Sequence, residues 1–422
     1  MRSRIMFAMG LTLAVFAATA AFAVGPKAYI GLFKDNAVAV VDTAENRLLT
    51  TISIPPGPHG LAVTPDGRAV YASSDGDTKV SVIDTATDSV RSTIEVGKSP
   101  HGLAITPDGN TVLAAVFGAN AVVFIDVVSN SVRGQVNVTS PHNIALTPDG
   151  RTAYVAAQGK GALALVVVDV RSMRQTESVP LDKTPRALNV SRDGKKLYFT
   201  LAGVDAVQVL DTGTNQIVKQ VPVGASPHHP LFTLDGEKAL VVSQGPGVLT
   251  VIDAAKDEVV GTVKVGTLPH WIAVGPGGRF AYITNEGSND LSVVNLDTLS
   301  VVATVPVGNA PRKIVVQPAA TREMSGAAKT GPAMSGPATA VATGIAGFVF
   351  ADTVRIKAGQ TITWTNNDPV PHTVTSDDGL WDSGDIAMGR SFSKRFELPG
   401  TYAYHCGNHP SMQGTIVVSA AM

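Results

Sequence analysis

Short apolar runs separated by polar turns extend along most of the chain. In the stretch from Gly60 to Gly97, the run "GLAVT" is closed by the turn "PDG", and "AVYASS", "KVSVIDT" and "VRSTIEVG" follow it in order. Each run is rich in Val, Ile, Tyr and Thr and is bounded by Gly, Asp, Asn or Pro, a composition typical of β-strands joined by tight turns. The pattern predicts one strand for each run.

The same unit recurs along the chain. Its opening phrase "PHGLAVTPDG" returns as "PHGLAITPDG", "PHNIALTPDG", "PRALNVSRDG", "PHHPLFTLDG", "PHWIAVGPGG" and a truncated "PRKIVVQP". Successive first prolines lie 42, 41, 44, 42, 42 and 42 residues apart, at positions Pro58, Pro100, Pro141, Pro185, Pro227, Pro269 and Pro311. A period near 42 with four short strands per unit predicts a propeller blade for each repeat.

The two ends of the repeat region complete each other. The unit at Pro311 has only its first strand, at 312–316, and the runs "AYIGLF", "AVAVVDT" and "RLLTTISI" precede Pro58. A blade built from both ends would close the ring and leave no open sheet edge. The period and the "TPDG" turns resemble those of the YVTN-type seven-bladed propellers over roughly residues 25–317, and this resemblance implies the fold rather than an activity.

The composition changes abruptly after Gln317. The segment "PAATREMSGAAKTGPAMSGPATA" has no apolar period and reads as a flexible linker, after which strand patterns resume at "GFVFADTVRIKAGQTITWTNN". The remaining chain is long enough only for a small sandwich. We therefore expect an all-β protein with a signal peptide at 1–23, a seven-bladed propeller at 24–317, a linker at 318–338 and a small β-sandwich at 339–422.

Charge and the N-terminus restrict the class of partner and the compartment. Lys and Arg total 33 against 34 Asp and Glu, which provides no field to attract nucleic acid or an anionic membrane. The N-terminus begins with Arg2 and Arg4, continues as an apolar run and ends in the small-x-small triplet Ala21 to Ala23, the pattern of a cleaved export signal. An uncleaved membrane anchor is the alternative. Export predicts a periplasmic or otherwise extracytoplasmic protein without a membrane span after cleavage.

The single cysteine then needs a role. In an oxidising compartment structural thiols come in pairs, so Cys406 must be buried and inert, paired between chains, or bound to something. It lies in "YHCGNHPSMQG", with His409 three residues later and Met412 three beyond that, and His372 lies upstream beside another strand. One thiolate and two imidazoles with a weak axial thioether form a blue-copper electron-transfer site, because this ligand set suits copper in both oxidation states.

This segment resembles the plastocyanin and azurin family of cupredoxins, with "VPHT" and "YHCGNHPSM" matching its ligand motifs. The resemblance implies that His372, Cys406, His409 and Met412 bind one type 1 copper, and their spacing looks most like that of amicyanin. Thr373 stands where many relatives have Asn, which bridges the ligand loops. The alternative is that Cys406 and Met412 are ordinary core residues. His405 should point to the opposite face of its strand as a structural or surface residue.

The propeller repeat carries a second set of histidines. The position after each repeat proline begins the innermost strand of its blade, so these residues should line one mouth of the central channel as a channel ring. The ring positions hold His59, His101, His142, Arg186, His228, His270 and Arg312, with His229 one residue further on. Three interpretations remain open: a metal site, a substrate or anion site, or residues inherited by repeat duplication without any chemistry.

Two further resemblances concern the overall plan. A seven-bladed propeller followed by a cupredoxin is the plan of nitrous oxide reductase, although that enzyme's two-copper centre needs two cysteines and this chain has one. Methylamine dehydrogenase also has a propeller subunit that works with amicyanin, but no quinone-bearing subunit is encoded here. An enzyme activity, as a copper-dependent oxidoreductase, therefore stays undecided at this point.

We expect an exported copper electron-transfer protein with a redox partner protein, whose propeller docks a partner or carries a second redox or metal site. The alternatives are a multicopper oxidoreductase similar to nitrous oxide reductase and a non-catalytic binding or scaffold protein. The last inner strand should deliver the linker to the face opposite the channel ring. Transfer between copper and ring would then be easier between chains, in a head-to-tail homodimer.

Overall fold

The computed structural model describes residues 26–318, 340–346, 349–350, 353–368, 370–377, 381–396 and 400–419. The predicted signal peptide at 1–23 and, except for Pro318, the predicted linker at 318–338 lie outside these residues. Within them the predicted all-β class is confirmed, and the only helical element is a 3₁₀ turn at Phe117–Ala119. In this part of the chain no helix has the length and apolarity needed to span a bilayer.

Seven four-stranded sheets form the first domain, as the repeat predicts. Strands β4 to β27 make six consecutive blades of four strands each, and the seventh sheet has the order β28-β1-β2-β3. The innermost strands β4, β8, β12, β16, β20, β24 and β28 contact one another in succession around a central channel. In chain order the strands are β1 (Lys27–Leu32), β2 (Ala37–Asp42), β3 (Arg47–Ser53), β4 (Pro58–Val63), β5 (Ala69–Ser74), β6 (Lys79–Asp84), β7 (Ser89–Glu95), β8 (Pro100–Ile105), β9 (Thr111–Val116), β10 (Ala121–Asp126), β11 (Ser131–Asn137), β12 (Pro141–Leu146), β13 (Thr152–Gly159), β14 (Ala162–Asp169), β15 (Arg174–Pro180), β16 (Pro185–Val190), β17 (Lys196–Leu201), β18 (Ala206–Asp211), β19 (Gln216–Pro222), β20 (Pro227–Phe232), β21 (Lys238–Ser243), β22 (Val248–Asp253), β23 (Glu258–Lys264), β24 (Pro269–Val274), β25 (Phe280–Asn285), β26 (Asp290–Asn295), β27 (Ser300–Pro306) and β28 (Pro311–Val316).

The "TPDG" phrase forms the turn between the first and second strands of a blade. Gly67 takes a φ of 70°, which a residue with a Cβ adopts only at a cost. Asp66 accepts a hydrogen bond from the N–H of Arg68 at 3.0 Å and another from the hydroxyl of Thr64. The same hydroxyl–carboxylate pair recurs as Thr106–Asp108, Thr147–Asp149, Ser191–Asp193 and Thr233–Asp235. Local hydrogen bonds thus hold the conformation of the turn, and the hydroxyl of Thr85 on the same blade donates to the carbonyl of Gly67 at 2.7 Å.

Buried tyrosines link neighbouring blades. The Tyr71 hydroxyl, on the second strand of its blade, donates to Asn130 in the last turn of the next blade at 2.7 Å. Asn130 has a φ of 50°, which Asn tolerates better than most residues. The same link joins Tyr29 to Asp88, Tyr154 to Asn215 and Tyr198 to Asp257. Because the blades otherwise meet largely through aliphatic side chains, these bonds give four of the seven interfaces a directional contact.

The seventh blade is closed by both ends of the domain, as predicted. Strand β28 pairs antiparallel with β1, with Ile30 opposite Ile314 and Ala28 opposite Val316. The Gln317 side chain then donates to the carbonyl of Gly67 at 2.7 Å. The chain therefore leaves the propeller beside the Asp-Gly turns, on the face opposite the start of each inner strand.

The second domain is a small sandwich of two sheets. One has the strand order β29-β31-β33 and the other β30-β35-β34-β32. Its strands are β29 (Ala340–Ile345), β30 (Thr353–Lys357), β31 (Gln360–Asn366), β32 (Thr375–Ser376), β33 (Ser391–Phe396), β34 (Gly400–Cys406) and β35 (His409–Ser419). The core between the sheets is built around Trp364 and Tyr404, whose indole N–H and hydroxyl are 3.2 Å apart.

Strand β28, which closes the propeller, provides a test of that closure. We expect Ile314→Ala to lower the free energy of unfolding by about 2–5 kcal/mol, because it removes buried aliphatic carbon from the strand that joins the two ends. Val302→Ala on an outer strand is the control, since Val302 is 51% exposed and should change stability by less than about 0.5 kcal/mol. Urea unfolding measures both, and equal losses would contradict the assigned role of β28.

Candidate metal centre and the propeller channel

Three potential ligands meet at one end of the sandwich. Cys406 ends β34 and His409 begins β35, so the tight connection between these strands places both side chains together. His372 comes from a separate segment, which is held by backbone hydrogen bonds between His372 and Ile386. The Cys406 Sγ atom lies 3.6 Å from His372 Nδ1 and 3.5 Å from His409 Nδ1, and the two nitrogens are 3.1 Å apart.

These separations fit a single metal ion. With metal–nitrogen and metal–sulfur distances of about 2.0 and 2.3 Å, trigonal ligand atoms would lie about 3.5–3.7 Å apart. A thiolate with two imidazoles is the donor set that suits copper. Met412, the fourth predicted ligand, is 2% exposed and belongs to the same buried cluster as Cys406.

Hydrogen bonds orient two of these side chains. The Nε2 atom of His372 lies 2.9 Å from the Asp368 carboxylate, which accepts a hydrogen bond from it, so the lone pair of Nδ1 faces Cys406 and His409. The N–H of Thr373 points at Cys406 Sγ from 3.3 Å, and the Thr373 hydroxyl accepts from the N–H of Gly407 at 2.6 Å. Thr373 thus makes the bridge between ligand loops that Asn makes in many relatives.

Exposure differs among the candidate ligands. His372 and Cys406 are fully buried, whereas His409 is partly exposed at the end of the sandwich. His405, next to Cys406, points away and contacts Asp377 with its Nδ1 atom at 2.6 Å. His409 is therefore the edge of the site nearest to solvent.

The channel ring of the propeller divides into groups. His59, His101 and His142 form a cluster whose potential ligand atoms all lie within 4.8 Å of one another. His228 and His270 form a separate pair with ring centroids 4.0 Å apart. Around the channel ring, Arg186 and Arg312 lie between these two groups. All five imidazoles are thus brought to one region of the channel, but only three of them converge.

The arginines and His229 are held by other contacts. Arg186 donates to the Ser226 hydroxyl at 3.1 Å, and Arg312 forms a salt bridge of 3.0 Å with Glu286. His229 leaves the ring: it stacks on Trp271 with centroids 3.7 Å apart, and its Nδ1 atom accepts from the N–H of Ile272. It lines a cavity of about 460 Å³ on the side of the Asp-Gly turns, which is walled mainly by aliphatic side chains.

The channel keeps its histidines neutral. Burial lowers the pKa of His142 to about 4 and that of His228 to about 3. Burial, followed by the charges of neighbouring imidazoles, lowers the pKa of His59 and His270 well below the usual value. At neutral pH these rings therefore carry lone pairs instead of charges, which is the form that binds metal ions.

Sequence reasoning missed Lys313, which lies in the channel. Its ammonium nitrogen is 3.3 Å from the Leu103 carbonyl and 4.5 Å from the Trp271 ring centroid. Burial lowers the pKa of Lys313 to about 7. The sequence did distinguish Lys313. The equivalent position in the other repeats, one after the channel-ring residue, holds Gly, Asn, Ala, His or Trp and never a lysine.

Comparison with known proteins identifies relatives of each domain separately. A family model described as a cupredoxin-like domain matches residues 341–418, and one described as a YNCE-like beta-propeller matches residues 103–237. Amicyanin-alpha of Methylorubrum extorquens is 41% identical over 70 residues, which cover 15% of this chain and 59% of that protein. Plastocyanin of Scenedesmus fuscus is 40% identical over 78 residues, which cover 15% of this chain and 80% of that protein.

Among solved structures, hydrazine synthase of Kuenenia stuttgartiensis matches with a TM-score of 0.60 and 21% identity, over 67% of this chain and 99% of that one. At this identity the likeness shows the propeller fold alone. The resemblance to plastocyanin and amicyanin inferred from the ligand motifs is confirmed, and a type 1 copper follows from it. The resemblance in plan to nitrous oxide reductase stays a prediction.

Lys313 predicts an unusual pH dependence. Its pKa in the unfolded chain is about 10.4, so between pH 7 and 10 the unfolded state binds more protons than the folded state and stability rises with pH. We expect Lys313→Met to be the more stable protein at pH 7, and its advantage to shrink by about 2 kcal/mol by pH 9. Urea unfolding at both pH values checks this, with the exposed Lys160→Met as control. A pH-independent difference between Lys313→Met and the wild type would contradict it.

Proposed function

The chain belongs, through its C-terminal domain, to the cupredoxin family of plastocyanin and amicyanin, and we propose that it is an electron carrier whose type 1 copper is held by His372, Cys406, His409 and Met412. The observation that carries this proposal is the convergence of the Cys406 sulfur and two imidazole nitrogens to within 3.1–3.6 Å of one another. When bound, the copper accepts and releases one electron.

The chain's own groups prepare the site for that task. Asp368 holds the His372 ring in one tautomer, and the Thr373 N–H offsets part of the negative charge of the Cys406 thiolate. The strand-to-strand connection between Cys406 and His409 belongs to a sheet, so these ligands need not rearrange when the charge of the site changes. His409 offers the exposed edge through which a redox partner protein would exchange electrons.

For the propeller, the proposed role is to dock a partner. Its outer strands are exposed and carry both polar and apolar side chains, while its repeats supply a rigid frame. Export through residues 1–23 would place both domains outside the cytoplasm. The chain leaves the propeller on the face opposite the channel ring, which supports a head-to-tail homodimer if electrons pass between copper and ring.

A second candidate function is a copper oxidoreductase that works at the channel ring. The cluster of His59, His101 and His142 favours it, because three converging imidazoles could hold a metal ion at which a small molecule or anion reacts. Copper stoichiometry separates the candidates, since a carrier needs only the copper of the sandwich.

The copper assignment predicts a colour. The purified, oxidised protein should be intensely blue or green, because a thiolate bound to Cu(II) absorbs strongly by charge transfer. Cys406→Ser should abolish the band, while His405→Gln should keep it because His405 contacts Asp377 instead of the site. Visible absorption of copper-loaded protein measures this. A loaded wild type without the band would refute the assignment.

Export predicts a shortened protein. In a host that secretes it, the mature chain should begin at Val24, because Ala21 and Ala23 form the small-x-small cleavage site. Intact-mass measurement of the extracytoplasmic fraction checks this. Recovery of the full-length chain in the membrane fraction would show an uncleaved anchor instead.

A further inference from the structure

The order of residues around the channel is not symmetric. Three histidines follow one another at His59, His101 and His142, then Arg186 interrupts, and only the pair His228 and His270 follows before Arg312. Duplication of one repeat would explain a histidine in every blade. It does not explain why His59 and His101 lie closer, at 3.4 Å between ring centroids, than the other adjacent histidine pairs, at 4.0 Å.

Two glycines make that close packing possible. A Cβ on Gly60 would lie 2.1 Å from the carbonyl oxygen of His101, and one on Gly102 would lie 2.5 Å from that of His142. A side chain at either position would therefore push the neighbouring inner strand away. Across these two contacts the imidazoles of His59 and His101 lie 3.4 Å apart between centroids and those of His101 and His142 4.0 Å apart, with the ring planes tilted by 36° and 38°.

In two of these three imidazoles, a hydrogen bond fixes the Nδ1 atom. The Nδ1 atom of His101 lies 3.2 Å from the carbonyl of His142. The Nδ1 atom of His142 lies 3.2 Å from the carbonyl of Arg186. With Nδ1–H as the donor to the carbonyl of the next blade, both rings keep the lone pair of Nε2 for a ligand. Metal-binding histidines are oriented in the same way.

His59 completes the cluster but has an unsatisfied atom. Its side chain is buried, and its Nδ1 atom has no hydrogen-bond partner among the described residues. Leaving such a nitrogen buried and unpaired costs about 1–3 kcal/mol. A ligand bound at the cluster would remove that cost.

The separations allow an ion to bind with little movement. Three nitrogens around an ion at about 2.0 Å would lie about 3.5 Å apart. One nitrogen of each ring already lies within 4.8 Å of one nitrogen of the other two, so bringing these nitrogens to an ion requires an inward shift of at most about 0.8 Å for each.

The surroundings select the charge of the ion. The ligands are neutral, the site is largely buried, and the guanidinium of Arg312, which acts on His59, is paired with Glu286. The desolvation cost of an ion grows with the square of its charge, so this site disfavours a dication more than a monocation. Among the metals that imidazole suits, copper is the one with a stable monovalent state.

From these observations we propose that the propeller binds a copper ion as Cu(I) through the imidazoles of His59, His101 and His142. This site is separate from the copper of the sandwich, and it does not depend on that assignment. It gives the propeller a ligand of its own.

Copper counting on the full-length chain tests this site. The wild type, His101→Gln and His228→Gln are titrated anaerobically with Cu(I) against a chromogenic Cu(I) chelator, and copper per chain is measured by mass spectrometry. We expect two Cu(I) ions in the wild type, one in His101→Gln and two in His228→Gln. His228 is the matched control, because it occupies the same repeat position outside the cluster of three. Circular dichroism confirms that each variant is folded.

Two measurements distinguish copper bound by the propeller from copper bound at Cys406. The charge-transfer band after oxidation counts the copper at Cys406 and should be equal in all three proteins. X-ray absorption of the Cu(I)-loaded triple variant His372→Gln, Cys406→Ser and Met412→Leu, which lacks three of the four sandwich ligands, should show copper with nitrogen neighbours and without a sulfur at bonding distance. If His101→Gln does not fold, Gly102→Ala replaces it, because the added methyl group separates the rings and should weaken the second copper at least tenfold.

Several outcomes would overturn the proposal. These are one copper per chain in a wild type whose blue band accounts for it, a second copper that His101→Gln retains, and a site that takes Zn²⁺ while leaving Cu(I) with the chelator. A missing blue band with two coppers bound would instead refute the cupredoxin assignment and leave the propeller site standing.

Discussion

The antiparallel pairing of β1 with β28 is the contact on which the propeller depends. It joins residues almost 300 positions apart in the chain, and without it the sheet of β1 to β3 would lack its innermost strand and expose an open edge. Once the ring is closed, every innermost strand runs in the same direction around one channel. Each residue that begins such a strand must then lie at the same mouth, which is why a repeated sequence position becomes a cluster in space.

Both candidate centres bring ligands together at strand ends, but their ligands differ in how far apart they lie in the sequence. In the sandwich, Cys406 and His409 are neighbours in sequence, and only His372 must be delivered by packing of another segment. In the propeller, each histidine comes from a different blade. Its position depends on contacts between blades, such as the hydroxyl of Ser73, which donates to the carbonyl of His101. The first site needs one small domain, and the second needs the closed ring.

Low polarity in the channel determines the protonation of its side chains. Burial is the largest cause of the lowered pKa of His142, His228 and Lys313, so groups that would be cationic in water lose protons near or below neutral pH. Two guanidinium groups remain: Arg312 is balanced by Glu286, and Arg186 donates to the Ser226 hydroxyl. The channel therefore carries much less positive charge than its number of basic side chains suggests, and its imidazoles are in the neutral form that serves as a ligand.

The sequence by itself determined the fold class, the number of blades, their shared closure and the identity of the copper-binding residues as candidates. Each of these depends on local patterns: a period near 42, the "TPDG" turn, and a cysteine, histidine and methionine on one short loop. Local patterns are readable because short-range backbone preferences produce them.

Tertiary structure alone decided which histidines converge, that His229 turns away to stack on Trp271, and that Lys313 is buried in the channel. These outcomes depend on how closely neighbouring inner strands approach. Gly60 and Gly102 have no side chain at the points where carbonyl groups of the neighbouring blades lie against them. A sequence lists such glycines but does not state what packs on them, since the distance between two blades is set by all the side chains between them.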